Sequence, residues 1–128
     1  MDILFLNNQH VLKLHQSLIE HYGGSTGVRD MGLMESAIAQ PRAMFSGEFL
    51  HQWPYEMAAA YLFHIVKNHP FIDGNKRTGA ASAIVFLDIN GIQIQNDEAG
   101  LVDLTLDVAT GKANKADIAA FFQTHHQQ

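Results

Sequence analysis

The chain has 128 residues, 47% of them apolar and 16% charged, with a net charge of −5 and no cysteine. That length and apolar content suit one compact soluble domain, residues 1–128, around a single core. The missing cysteine excludes disulfides and thiolate metal sites and agrees with a reducing cytoplasm, and the acidic balance argues against broad nucleic-acid binding, which needs excess Lys and Arg facing phosphate.

In chain order, Asn8 is placed to cap a first helix. In it Val11, Leu14, Leu18 and Tyr22 recur at three- and four-residue steps, and Gly23-Gly24 ends it. After the loop GGSTGV, Asp30 caps a shorter helix with Leu33, Met34, Ala37 and Ile38 inward, ending near Pro41. In AMFSGEFLHQW, the Ser46-Gly47 step between apolar flanks predicts a tight turn and a small hairpin. Pro54 suits a first helical turn and Glu56 favours the dipole, so a third helix runs from about Pro54 to Asn68. Its inward candidates are Met57, Ala60, Tyr61, His64 and Ile65.

A fourth helix begins near Asn75 and ends at Asn90-Gly91. Gly79 to Ala83 give it a small-residue face and Ile84 to Leu87 make it apolar nearly all round, which predicts the central helix of the fold. Ile92 to Ile94 alternate as a short strand does. Asp97 and Gly111 bracket a fifth helix containing Leu101, Leu104 and Val108, and Asn114 opens a sixth with Ile118, Phe121 and Phe122 that frays into THHQQ. The expectation is therefore all-α, a bundle of about six helices with a small β-hairpin. No stretch approaches the roughly 20 apolar residues of a membrane span. The N-terminal MDILFLNN lacks the positive flank and cleavage site of a secretory signal.

One stretch concentrates chemistry. HPFIDGNKR, residues 69–77, lies in the turn between the third and fourth helices and ends on the first turn of the fourth. Free N–H groups at a helix start, with the dipole behind them, form an anion site, and Gly74 lets backbone approach an anion closely. Lys76 and Arg77 add a point charge and a planar fork for phosphate oxygens, and Asn75 can donate without adding charge. Asp73 repels phosphate but can hold a magnesium ion that phosphates also ligate. His69 can take a proton near neutral pH and so activate a hydroxyl. Together these groups suffice to move a phosphorus-containing group from a nucleotide to an alcohol. Singly, each has an ordinary reading: His-Pro and Asp-Gly-Asn are turn sequences, and Lys76-Arg77 makes a solvated helix start.

HPFIDGNKR resembles the signature of the Fic/Doc family: a His, an aromatic two positions on, an acidic residue, then Gly-Asn and Arg. YGGSTGVRDMGLMESAIAQP, MFSGEF, AAAYLFHIVKNHPFIDGNKRTG and FLDINGI extend the likeness to the Doc (death-on-curing) branch over most of the chain. The resemblance implies a helical bundle with the motif loop between two central helices, His69 as general base, and Asp73 as magnesium ligand. It further implies Gly74 and Asn75 as the anion-binding turn, Lys76 and Arg77 on the phosphates of ATP, and Phe71 as a core anchor. Phe45, Ser46, Gly47, Glu48, Phe49 and Leu50 would correspond to a flap that aligns a target peptide by strand addition.

Family members that transfer AMP usually carry a second Gly where Lys76 stands, whereas the Doc-type enzymes share the lysine. The resemblance thus implies a protein kinase acting on elongation factor Tu to inhibit translation, the toxin of a type II toxin–antitoxin system. Pro70 and Gly74 look more like the AMP-transferring branch, so AMP transfer is the alternative, beside a non-catalytic binding module with the same fold. None of the glutamates at positions 20, 35, 48, 56 and 98 has Ser or Thr four residues earlier, as an internal inhibitory helix of this family would require. A small antitoxin acting in trans, its helix along an apolar groove, is the expected restraint. A metal-dependent hydrolase built on His64, His69 and Asp73 is a further alternative, weakened by a five-residue spacing that leaves the i,i+4 face. A P-loop reading of GNKRTG fails because Ala80, not Lys, follows the second Gly.

Overall fold

A computed structural model describes residues 2–127. The elements run α1 (Asn8–Tyr22), α2 (Met31–Ala39), a 3-10 turn (Gln40–Arg42), β1 (Met44–Phe45), β2 (Glu48–Phe49), α3 (Tyr55–Asn68), α4 (Asn75–Ile89), α5 (Glu98–Ala109) and α6 (Lys115–Thr124). Six helices and one hairpin match the all-α expectation.

Asn7, not Asn8, caps α1. Its Oδ1 accepts the His10 N–H and His10 Nδ1 accepts the Asn7 N–H, both at 3.0 Å, a reciprocal box closed by side chains three residues apart. The inward stripe of α1 also differs from the expected one. Val11, His15 and Ile19 are buried, Leu14 and Leu18 half-buried, and Tyr22 exposed. Leu18 and Tyr22 face an open cleft instead of the core.

The hub is α3 and not α4. Eight of the fourteen residues of α3 are buried, and the helix touches α2, α4, α5 and α6. Its neighbour α4 is covered on one side, while Ala80, Ala81, Ile84 and Val85 are half-buried at the cleft. Apolar residues all round a helix do not say which side a partner covers. What the small residues of α4 do provide is close approach to α3: a Cβ on Gly79 would lie 3.0 Å from Val66 Cγ2 and 3.1 Å from the Leu62 carbonyl. Tyr61, Phe71, Phe86 and Phe122 are the bulkiest fully buried side chains. Tyr61 also anchors the N-terminal segment, its hydroxyl donating to the Leu6 carbonyl at 3.1 Å and accepting the Leu6 N–H at 2.8 Å. Burial pushes that phenol up to about 12.

The hairpin forms at the expected place, with Met44 opposite Phe49, Phe45 opposite Glu48, and Ser46-Gly47 as the turn. Two expectations near the C-terminus change. Ile92 to Ile94 make no strand, only a single antiparallel bridge between Ile94 and His126. The segment THHQ does not fray. His125 pairs with Asp97 at 3.0 Å and bonds the Phe121 carbonyl, His126 bonds the Tyr55 hydroxyl, and the Gln127 N–H donates to Gln93. Composition alone hid these partners, because they come from other elements.

A histidine pair, His51 buried and His64 half-buried, joins the base of the hairpin to α3 and α6. Lys115 Nζ donates to Nε2 of His51 at 3.2 Å and of His64 at 3.1 Å. Burial, then the Lys115 charge, lowers both imidazoles, His64 to about 4. In the unfolded chain these rings take up protons near the ordinary 6.5, so stability is full above that pH and falls as pH drops toward 4. Allowing for the partial exposure of the rings, the loss is roughly 1–2 kcal/mol. Thermal melts between pH 7 and 4 should show a fall of a few degrees that His64→Leu flattens. An identical profile in that variant would rule the histidine pair out as the cause.

Candidate functional site

The loop that links α3 to α4 is built by partners from far along the chain. His69 ends α3 in a left-handed conformation, φ 51° and ψ 53°, with its side chain exposed. Arg29 secures that end: Nε donates to the His69 carbonyl at 2.7 Å and a terminal nitrogen to the Asn68 carbonyl at 3.0 Å, satisfying groups a helix end leaves open. The Pro70 carbonyl accepts the N–H groups of Arg29 and Asp30, and the Ile72 N–H donates to Gly27. Residues 27–30 thus flank the loop, with a bridge between Val28 and Phe71. Phe71 is fully buried and stacks face to face on the His15 ring, centroids 3.8 Å apart and planes within 6°.

Asn75 closes the loop on itself. Its Oδ1 accepts the Phe71 N–H and its Nδ2 donates to the Phe71 carbonyl, both at 2.9 Å in a buried setting. The expectation of a free amide reaching an oxyanion therefore narrows: Asn75 offers an anion its main-chain N–H, while its side chain shapes the turn. Gly74 precedes it as the helix N-cap with φ 79° and ψ 17°, a region glycine enters freely. No side chain caps the helix. The first-turn N–H groups of Asn75, Lys76 and Arg77 are left open, with the positive end of the helix dipole behind them.

Asp73 sits at this opening. Its Oδ2 accepts the Ser25 N–H at 3.1 Å and its Oδ1 the Gly74 N–H at 2.9 Å. The Ser25 N–H first, then that of Gly74, with His15 and Arg77 adding to them, hold its carboxyl below the usual carboxylate range. It is exposed and ionised. Lys76 and Arg77 are exposed too, and among the described residues neither pairs with a carboxylate. Arg77 rests its guanidinium 4.2 Å from the centre of the Tyr22 ring, which leaves its N–H edge free.

These residues form one end of a cleft of about 570 Å³ between α1, α4 and α5. Its charged end is Asp73 to Arg77, and its far walls are apolar, with Leu18, Ile84, Val85, Leu101, Val102 and Leu106. Of the predicted residues, Asp73, Gly74, Asn75, Lys76 and Arg77 line the cleft together, and His69 stands outside its walls at the other end of the motif loop. Phe45 to Leu50 form the separate exposed hairpin. His64 lies elsewhere, on Lys115, and no group of three or more His, Asp or Glu able to hold a metal occurs among the described residues, which overturns the hydrolase alternative.

Glu98 also lines the cleft, from α5, so a cation held at the motif by Asp73 would have that carboxylate from the motif loop and would need further oxygen ligands from phosphate and water. That fits magnesium, which keeps several waters and bridges to substrate phosphates. Sequence reasoning missed three residues. His15 and Arg29 draw no reading from the sequence, and Tyr22 falls on the expected inward stripe of the first helix. The signal for His15 was present, since a polar ring at the i+4 position between Val11 and Ile19 needs a buried partner.

A family model described as "Fic/DOC family" matches residues 5–87. A curated protein of Mycolicibacterium smegmatis named "Toxin Doc" is 41% identical over 101 residues, 77% of this chain and 78% of that protein. A protein of Escherichia phage P1 named "Protein kinase doc" is 35% identical over 114 residues, 89% of each chain.

Proposed function

Because the chain belongs to the Fic/DOC family, we propose that it is a toxin that transfers the terminal phosphate of ATP to a protein hydroxyl. The observation that carries this reading is the uncapped start of α4, flanked by two exposed cations and by a carboxylate held ionised beside them. Neutral or anionic apolar ligands would leave that charge pattern unused, whereas a magnesium-bound polyphosphate meets each part of it.

The open N–H groups of Asn75, Lys76 and Arg77 receive phosphate oxygens, with Gly74 leaving the approach clear. Lys76 and Arg77 supply charge from their side chains, Arg77 through its N–H edge. Asp73 would hold magnesium, which when bound would supply positive charge to offset that developing on the phosphates. His69 takes the proton of the attacking hydroxyl, and its exposed position at the end of α3 keeps it open to a macromolecular substrate. The hairpin of Met44 to Phe49 offers an exposed edge on which a target segment adds as a strand. Elongation factor Tu is the proposed target, and inhibition of translation in the cytoplasm the proposed effect.

AMP transfer is the second reading, favoured by Pro70 and Gly74 in the motif. Both residues have local roles independent of the transferred group: the Pro70 carbonyl ties residues 29 and 30 to the loop, and Gly74 packs against His15 and Ile19. Lys76 fills the place where close backbone approach would require glycine, which supports phosphoryl transfer. The apolar walls of the cleft, including Val102 at 51% and Leu106 at 45% exposure, support restraint in trans by the helix of a small antitoxin in a type II system. Among the described residues no helix is long and apolar enough to cross a membrane. The intact mass of elongation factor Tu after incubation with the chain and magnesium–ATP tests the reading. One added phosphate is expected. An added AMP would establish the second reading, and an unchanged mass with every nucleotide would reject transfer to this target.

A further inference from the structure

His15 is 5% exposed, 58 positions before the residue it serves, and its Nε2 lies 2.8 Å from the Asp73 carbonyl oxygen. A carbonyl only accepts, so Nε2 carries the hydrogen and donates. The ring cannot rotate away, because it is clamped against Phe71 at 3.8 Å. A Cβ at position 74 would come within 3.6 Å of its Nε2 and Cδ2, so the ring lies directly under the Asp73–Gly74 peptide.

In a trans peptide the C=O and the following N–H point in opposite directions. With the Asp73 C=O drawn inward to His15, the Gly74 N–H must point outward, and there it donates to Asp73 Oδ1 at 2.9 Å. Glycine tolerates either sign of φ, so nothing in the sterics of Gly74 prevents this peptide from turning over. A turned-over peptide would show the anion a carbonyl oxygen and release one of the two N–H groups that hold the Asp73 carboxylate.

We infer that His15 is a positioning residue that locks the Asp73–Gly74 peptide, and so sets both the polarity of the anion site and the aim of the magnesium-binding carboxylate. The inference rests on the transferase reading for its consequence, but the lock itself belongs to the free protein. Losing a partner that orients a metal ligand typically lowers affinity by about 10–100-fold.

The test uses the full chain with His15→Phe, which keeps the stacking surface and loses the donor, and His15→Gln, which restores an N–H near the same place. Ring nitrogen and Gly74 amide signals are recorded by NMR in the free protein, melting temperature by calorimetry, and magnesium–ATP affinity by titration. The wild-type ring should carry hydrogen on Nε2. His15→Phe should shift the Gly74 amide and weaken magnesium–ATP binding by about 10–100-fold at nearly unchanged melting temperature, and His15→Gln should recover most of the affinity. A hydrogen on Nδ1 alone, wild-type affinity in His15→Phe, or equal losses in both variants tracking a lowered melting temperature would overturn the lock. A wild-type chain with the expected ring and amide signals that binds no magnesium–ATP would sink the transferase reading and leave the lock standing.

Discussion

Replacing His69 with alanine should lower the rate of phosphoryl transfer by about 10²–10⁴-fold, the range typical of a positioned general base, while magnesium–ATP affinity is retained. The separation follows from position. His69 closes α3 outside the cleft, whereas the groups proposed for the phosphates lie at the start of α4. Its carbonyl, not its ring, holds the loop together through Arg29, so truncating the ring leaves that tie in place. The left-handed backbone at 69 makes His69→Asn the better-matched partner variant, since Asn enters that region more readily than Ala. Single-turnover transfer and calorimetric titration of the same preparations provide the check. Undiminished transfer in both variants would remove His69 from the chemistry, and an undiminished cellular effect without transfer would favour the binding module.

Asp73→Asn should weaken magnesium-dependent nucleotide binding by more than the 10–100-fold typical of losing a mere supporting partner, because it removes the one carboxylate of the motif loop, the group proposed to hold the metal. The loss should be confined to titrations containing magnesium. The amide also places an NH₂ group at one of the two positions where Asp73 accepts main-chain N–H groups from Ser25 and Gly74. In the wild type, those two N–H groups hold the carboxyl below its ordinary range. Its folded form therefore stays charged as the pH falls through the range where an unfolded carboxyl takes up a proton. The stabilisation is present above the unfolded value and is lost only as pH drops through the lower folded one. Binding of magnesium–nucleotide should accordingly show no Asp73 titration between pH 7 and about 5. A titration step in that window that Asp73→Asn abolishes would contradict the assigned environment.

Much of the site was legible because its chemistry is contiguous. Asp73, Gly74, Asn75, Lys76 and Arg77 are neighbours in the chain, and a turn followed by a helix start already places their groups near one another, while distant partners such as His15 and Ser25 fix their aim. The caps of Asp30, Asp97 and Asn114 were legible for the same reason, each accepting an N–H three residues on. Asn75 marks the limit of such reading. Its amide could serve an anion or the loop, and only the buried pair of bonds to Phe71 decides for the loop. The expected burial of Leu18 and Tyr22 failed differently, since an apolar residue on a helix can face a core or a cleft with the same periodicity.

The sequence by itself determined the local elements, the six helices and the hairpin turn, and the run of residues that carries the proposed chemistry, because each depends on groups within a few positions of one another. Tertiary structure decided which helix lies at the centre, which apolar face stays open, and how the motif loop is held. His15 and Arg29 reach that loop across 58 and 40 residues. Bonds between such distant positions follow from how helices pack, and side-chain periodicity along any one helix carries no record of them.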